Sequence, residues 1–302
     1  MRIETATSLN EFHSKIATLS QTGIWLFRGQ AEASWDLVPS LYRDFDKLVP
    51  PFDETDSEWV ARMERDIYRS FEQGLRAQGL ASDRWHIVAL AQHYGTPTRL
   101  LDWTRRASVG AFFALATEGP TDAAVWCFNV KAYPFPTFLG RIAKTYGHRV
   151  AVLNEISAQH RPSFFQEVSV PFVPRPPGST SKPLIADPLA ERKQGFLVVL
   201  DPDRTDKRMA AQDGLFTMYY SFHDYDLVWN FTHHFSQSEN DTGQNLLCKI
   251  VIPSASRRRF LDDLKSFENL DWNHVYPDLH GLGLSLTSLR ATTLTFYQAD
   301  RL

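Results

Sequence analysis

Arg28, Asp102, His93 and Gln212 are the side chains of this sequence best suited to chemistry, and each sits where an apolar run meets polar residues. Arg28 follows Ile24-Trp25-Leu26-Phe27 directly and precedes Gly29 and Gln30. A guanidinium at a strand end, beside a glycine that blocks nothing, can fork onto a phosphate or a ribose. The competing account is a surface arginine paired with a carboxylate. Asp102-Trp103-Thr104 sets a carboxylate, a flat ring and a hydroxyl in succession, a set that can orient a substrate bearing a ring. Against that reading stand Thr104 as a helix N-cap, Trp103 as packing, and Asp102 paired with Arg99 or Arg105. His93 in Gln92-His93-Tyr94-Gly95 could move a proton or bind an anion, or could simply donate to carbonyls at a helix end. Arg208 and Gln212 precede Gly214, where either a ligand or a simple turn would account for the glycine.

The elements that must carry these groups are legible from periodicity. Ser8-Leu-Asn-Glu11 is a capping box, opening a helix with Phe12, Ile16 and Leu19 inward. A second box, Thr55-Asp-Ser-Glu58, opens a helix whose apolar side is Trp59, Met63, Ile67, Phe71 and Leu75, closed by Gly79. Asp83 caps a helix with Ile87, Leu90, Ala91 and Tyr94 on one side, Gly95 suits a positive φ, and Pro97 stops it. A strand over 98–103 then leads through Thr104 into a helix burying Ala107, Ala111, Ala114 and Leu115. Further strands are expected at 123–130, 196–200, 215–220 and 246–252, a helix over 257–267, and a last helix from Tyr276-Pro-Asp-Leu. Residues 131–188 are broken by prolines and read as a loop-rich insertion over one domain spanning 1–302. Strands with helices set between them argue for an α+β fold with a largely antiparallel, split sheet.

Composition narrows the classes. The 302 residues are 43% hydrophobic and 13% aromatic, enough for a real core. A net charge of −3 supplies no global field for nucleic acid or anionic membrane. The only cysteines, Cys127 and Cys248, lie in apolar runs and read as buried, reduced thiols. Neither they nor His223, His233 and His234 have metal-ligand spacing, so no metal is expected. The first residues lack the apolar core of a signal peptide, and no apolar run approaches the roughly twenty residues a membrane helix needs. A cytoplasmic protein without membrane contact is the expectation. A phosphate loop with lysine, a dinucleotide GxGxxG and a GxSxG elbow are all absent, which argues against Walker NTPase, Rossmann dehydrogenase and α/β-hydrolase.

Phe27-Arg28-Gly29-Gln30, Trp35-x-Leu-x-Pro39-Ser-Leu-x-Arg43, Gln92-His-Tyr-Gly-x-Pro-Thr-Arg-Leu-Leu-Asp-Trp-Thr104 and Arg208-x-x-x-Gln-x-Gly-x-Phe-Thr217 together resemble the FRG domain family, and Tyr276-Pro-Asp-Leu-x-Gly-Leu282 resembles its C-terminal signature. More distantly, the arrangement is similar to the ADP-ribosyltransferase superfamily. Arg28 matches its first-strand residue that holds NAD, and Asp102-Trp103-Thr104 followed by Ala111-Phe-Phe-Ala114 matches its second strand and helix. Gln212-x-Gly214 stands where that superfamily carries a glutamate at the second position, and here the chain departs from it.

The resemblance implies an ADP-ribosyltransferase-like sheet flanked by helices and a nucleotide ligand, NAD in the first instance. It implies ligand contacts from Arg28, Gly29, Gln30, Arg99, Trp103, Thr104 and Arg208, and catalytic roles for Asp102, Gln212 and His93. ADP-ribosyl transfer to a protein or nucleic acid, or NAD glycohydrolysis, would follow, in a bacterial toxin or antiviral-defence setting. The missing glutamate leaves open whether the chain is an enzyme. A non-catalytic module sensing a nucleotide or nucleic acid and controlling a partner is the alternative. A metal-dependent nuclease would need Asp102 clustered with carboxylates such as Asp36 or Glu191.

Overall fold

The computed structural model describes residues 1–43, 56–80, 84–117, 119–133, 196–200, 207–220, 230–243 and 245–287. Seven strands, β1 (Arg2–Thr5), β2 (Trp25–Gln30), β3 (Leu101–Thr104), β4 (Ala123–Asn129), β5 (Phe196–Leu200), β6 (Gly214–Tyr220) and β7 (Leu247–Ile252), form one sheet in the order β1-β7-β4-β2-β3-β6-β5. Only β1 and β7 run parallel; every other neighbouring pair is antiparallel. Helices α1 (Leu9–Ser20), α2 (Asp56–Ala77), α3 (Arg84–His93), α4 (Ala107–Leu115), α5 (Lys207–Gln212), α6 (Phe231–Thr242), α7 (Arg257–Glu268) and α8 (Trp272–Val275) accompany it, so the described fold is α+β as expected.

The sheet is tight on either side of its middle and loose at one place. β2 pairs with β4 from Trp25 opposite Asn129 through Gln30 opposite Ala124. Between β2 and β3 the register reduces to one pair, Phe27 opposite Thr104. The sheet stays continuous through this seam, which is where Arg28 and Asp102 meet.

Alternation along the strands sorts the core. Trp25, Phe27, Val125 and Cys127 pack with α4, α1 and α7 through Ala111, Phe112, Phe12 and Phe260. Leu26, Trp103, Trp126 and Phe128 face the other way, against Phe231 and Phe235 of α6. Every residue of β4 is buried, which suits a strand covered on both faces. Cys127 and Cys248 are both buried free thiols, directly opposed across β4 and β7.

Caps fix the helices that matter. Ser8 Oγ accepts from the Glu11 amide at 3.3 Å, while the Glu11 carboxylate accepts from the Thr7 amide at 2.7 Å, so the reciprocal half of the capping box falls one residue early. α3 ends as its glycine demands: Gly95 has φ of +79°, with Thr96 N–H on the Ala91 carbonyl and Gly95 N–H on that of Gln92. Tyr94, expected on the apolar side, is 63% exposed. Thr104 is not the cap of α4; Arg106 holds that position without a side-chain bond, and Thr104 stays in β3. The expected caps Asp83 and Thr55, and the expected insertion from residue 134 onward, lie outside the described residues.

His234 supplies a pH dependence. Its Nε2 lies 2.8 Å from the Tyr133 hydroxyl, and burial lowers its pKa to about 4, with His233 adding a smaller push. In the unfolded chain this imidazole binds a proton near its usual 6.5, so protons favour unfolding throughout the interval between the two values. Folding stability should therefore fall as pH drops from about 6.5 to about 4. Urea titrations in that window should show His234→Gln with a visibly flatter profile than the parent; an unchanged slope would refute the assignment.

Candidate functional site at the sheet seam

Arg28 lies inside β2, not at its end, because the pairing with β4 continues two residues further to Gln30. By alternation it shares a face with Leu26, whereas Asp102 shares one with Thr104, so the two meet through the seam. The Arg28 Nη1 donates to the Asp102 main-chain oxygen and to its Oδ2, both at 3.0 Å. Where β2 and β3 part, the guanidinium takes the place a ladder partner would fill. The pair is asymmetric: the Arg28 side chain is 11% exposed and that of Asp102 is 51% exposed. Arg28 Nε is buried and has no hydrogen-bond partner among the described residues.

The carboxylate is held from a second side. Gln92 Nε2, from the last turn of α3, donates to Asp102 Oδ1 and Oδ2, each at 2.9 Å. The amide cannot turn around, because the Thr98 hydroxyl donates to Gln92 Oε1. Thr98 is itself fixed, its amide donating to Ser40 Oγ at 3.1 Å, with the Leu100 amide donating to Thr98 Oγ1 at 3.1 Å. A chain of bonds thus runs from the 3₁₀ turn Ser40–Tyr42 through Thr98 and Gln92 to Asp102. It leaves a half-exposed carboxylate in one orientation, which is what a group meant to meet a ligand requires.

Two further groups rim it, and a third stands against one of them. Arg43 donates to the Val38 carbonyl at 3.2 Å; burial and then the neighbouring Arg28 charge lower its pKa, while Asp102 opposes the change. The Tyr276 phenol is raised above its usual range by burial first and by Asp102 second. Arg208 of α5 stands with its guanidinium 5.1 Å from the Tyr276 ring and 6.0 Å from that of Tyr94, and donates through Nε to Asp278. That bond leads the causes that hold the Asp278 carboxyl down to about 2. Asp278 Oδ1 also caps the helical turn at 279–287, accepting from the His280 amide at 2.9 Å and the Gly281 amide at 3.2 Å. The C-terminal Tyr-Pro-Asp-Leu segment is thereby fastened beside Asp102.

Other candidates are placed differently, for identifiable reasons. Gly29 faces α4 and not a ligand: a Cβ there would lie 2.1 Å from the Gly110 carbonyl oxygen. Gln30 is 6% exposed, its amide donating to the Asp36 carbonyl and its oxygen accepting from Trp126 Nε1. Trp103 is 3% exposed and donates to Thr217 Oγ1, on the opposite face from Asp102, so it cannot wall this site. Thr104 Oγ1 donates to the Gln212 carbonyl at 2.6 Å, while the Gln212 side chain turns away to the Val275 carbonyl at 3.0 Å. Arg99 is clamped onto the fully buried Glu64. His93 ends α3 with its ring edge-on to Tyr94 at 5.3 Å. The structure thus brings together Arg28 and Asp102, adds Gln92, Arg43 and Tyr276, and sets Arg208 against Tyr276 and Tyr94. Asp36, the carboxylate expected beside Asp102 in a nuclease, instead accepts from Asn230, and Glu191 lies outside the described residues. Among the described residues no group of three or more His, Cys, Asp or Glu could hold a metal ion, and no helix is long and apolar enough to cross a membrane.

No curated protein and no solved structure matches the chain. One family model does, and it spans the strand of Arg28, the helix of Gln92 and the strand of Asp102: residues 23–123 match the FRG domain, so the chain carries an FRG domain over that stretch.

Proposed function

We propose that the seam binds a nucleotide, NAD in the first instance, and that it acts on the ribose as an ADP-ribosyltransferase-like or NAD-glycohydrolase centre. The observation that carries the reading is the half-exposed Asp102 carboxylate, oriented by Arg28 and Gln92 and flanked by Arg43 and Tyr276, the latter with Arg208 against its ring. A carboxylate takes two hydroxyl donors at once, which suits a ribose diol, and guanidinia suit a phosphate. The residues present therefore fit the group.

Rupture of a glycosidic bond to nicotinamide develops positive charge at the sugar, and a fixed carboxylate stabilises that charge. Asp102 is the residue for this role. Gln212 sits near the position of the usual glutamate but spends its amide on the Val275 carbonyl and has no proton to exchange. Gln92 is a positioning residue, setting the direction of the Asp102 oxygens. Arg28 neutralises the carboxylate from beneath.

Purified protein incubated with NAD should release nicotinamide, and Asp102→Asn should cut the rate by roughly a hundredfold or more while leaving the fold intact. Binding without nicotinamide release would favour the sensing module instead. Absence of any nucleotide binding by the parent protein would end the proposal.

A further inference from the structure

Tyr94, Arg208 and Tyr276 form a shelf of two rings and a guanidinium. Tyr94 is 63% exposed, an unusual position for a tyrosine whose helix faces the core, and its ring is propped edge-on by His93. Tyr276 is rigid: Trp272 stacks on it at 5.7 Å with the planes 25° apart, and Gly281 closes so near that a Cβ there would lie 1.9 Å from the Tyr276 carbonyl oxygen. Arg208 lies between these two rings, held in place by Asp278. Tyr276 is also close enough to Asp102 for that carboxylate to raise its phenol pKa.

Resting on the nucleotide reading above, we infer that this shelf holds the purine base of the ligand, with Asp102 taking the ribose next to it. A flat, uncharged heteroaromatic ring stacks on tyrosine and on a guanidinium plane alike. A nicotinamide ring carries a positive charge when joined to ribose, and the Arg208 guanidinium beside the shelf disfavours it. The adenine end of a dinucleotide fits here and the nicotinamide end does not. The exposed ring of Tyr94 is the part of the shelf that a base would cover.

Calorimetric titration of the full chain with AMP, ribose 5-phosphate and nicotinamide mononucleotide separates the possibilities. AMP should bind at least roughly tenfold more tightly than either of the others. Tyr94→Ala should bring AMP down to the level of ribose 5-phosphate and leave ribose 5-phosphate unchanged, whereas Tyr94→Phe should keep the preference. Equal binding of AMP and ribose 5-phosphate by the parent protein would overturn the shelf while leaving the nucleotide site standing. Tighter binding of nicotinamide mononucleotide than AMP would overturn the choice of base. Failure of all three to bind would remove the shelf and the nucleotide reading together.

Discussion

Arg99→Ala is expected to lower folding stability by about 3–5 kcal/mol, because it strands a charge in the interior. Its partner Glu64 is 0% exposed in the middle of α2. Arg99 grips that carboxylate with Nε on Oε1 at 2.7 Å and Nη2 on Oε2, and the Tyr68 hydroxyl adds a bond to Oε1 at 3.1 Å. Burial pushes the nearby Tyr42 phenol up to about 12, so this corner between α2 and the 3₁₀ turn is dry. Removing both charges should cost far less than removing one. A double variant, Arg99→Met with Glu64→Leu, should recover most of the loss in urea melts. Were Arg99 instead a ligand contact, Arg99→Ala would fold normally and lose only binding. A melt of Arg99→Ala matching the parent would show that outcome and remove the buried pair as a structural element.

The same residue shows what the sequence could and could not disclose. Glu64 falls inside a helix whose expected inward side was Trp59, Met63, Ile67, Phe71 and Leu75; Leu75 is buried and Met63 and Ile67 are partly so, but Val60, Glu64 and Tyr68 are buried as well. An acidic residue at an apolar spacing carries no sign of burial until its arginine, 35 positions away, is seen beside it. Local signals fared better. The Ser8 cap, the Gly95 exit and the strands with long apolar runs are where periodicity places them, since neighbours in sequence decide them. β1 escaped notice because it is a short edge strand, mostly exposed, paired only on one side with β7. Helices α5 and α6 also escaped, the first for its shortness and the second because Thr, His, Ser and Asn dilute the apolar pattern around Phe231 and Phe235.

At the site, the residue types were legible and their partners were not. Arg28, Asp102 and Arg208 could be singled out because charged groups beside apolar runs must either pair or serve. That Trp103 faces the core while Asp102 faces the opening follows from strand alternation once the limits of β3 are known. The limits were displaced by the assignment of Thr104 to a helix cap. Gln92 could have been ranked higher by the same rule that selected Arg28, since a glutamine in the last turn of a helix beside a glycine exit must satisfy its amide. Its role depended on Thr98, whose hydroxyl orients that amide, and no spacing rule joins the two.

Gly29→Ala should be strongly destabilising, costing about 3 kcal/mol or more, beyond the usual range for an added methyl. The backbone of Gly29 is not left-handed, so alanine has no dihedral penalty there, and the whole cost is steric. An added Cβ would lie 2.1 Å from the Gly110 carbonyl oxygen and 2.4 Å from the Ala114 amide nitrogen. Both are main-chain atoms of α4, so no side-chain rotation relieves the contact. The helix cannot back away either, because its far side is packed on α7 and on Trp272, whose ring meets Phe112 at 5.1 Å. Gly110→Ala is the control. Its Cβ would meet the Phe27 Cβ at 3.1 Å, a contact that a few tenths of an ångström of movement relieves, and its cost should be much smaller. Thermal melts of the two variants beside Arg28→Lys separate packing from ligand recognition. Gly29→Ala should melt far below the parent, Gly110→Ala modestly below, and Arg28→Lys should remain folded with weakened nucleotide binding. A Gly29→Ala protein that melts like the parent but no longer binds nucleotide would mean the glycine faces a ligand after all, and that α4 does not rest on β2 as closely as the Gly110 contact requires.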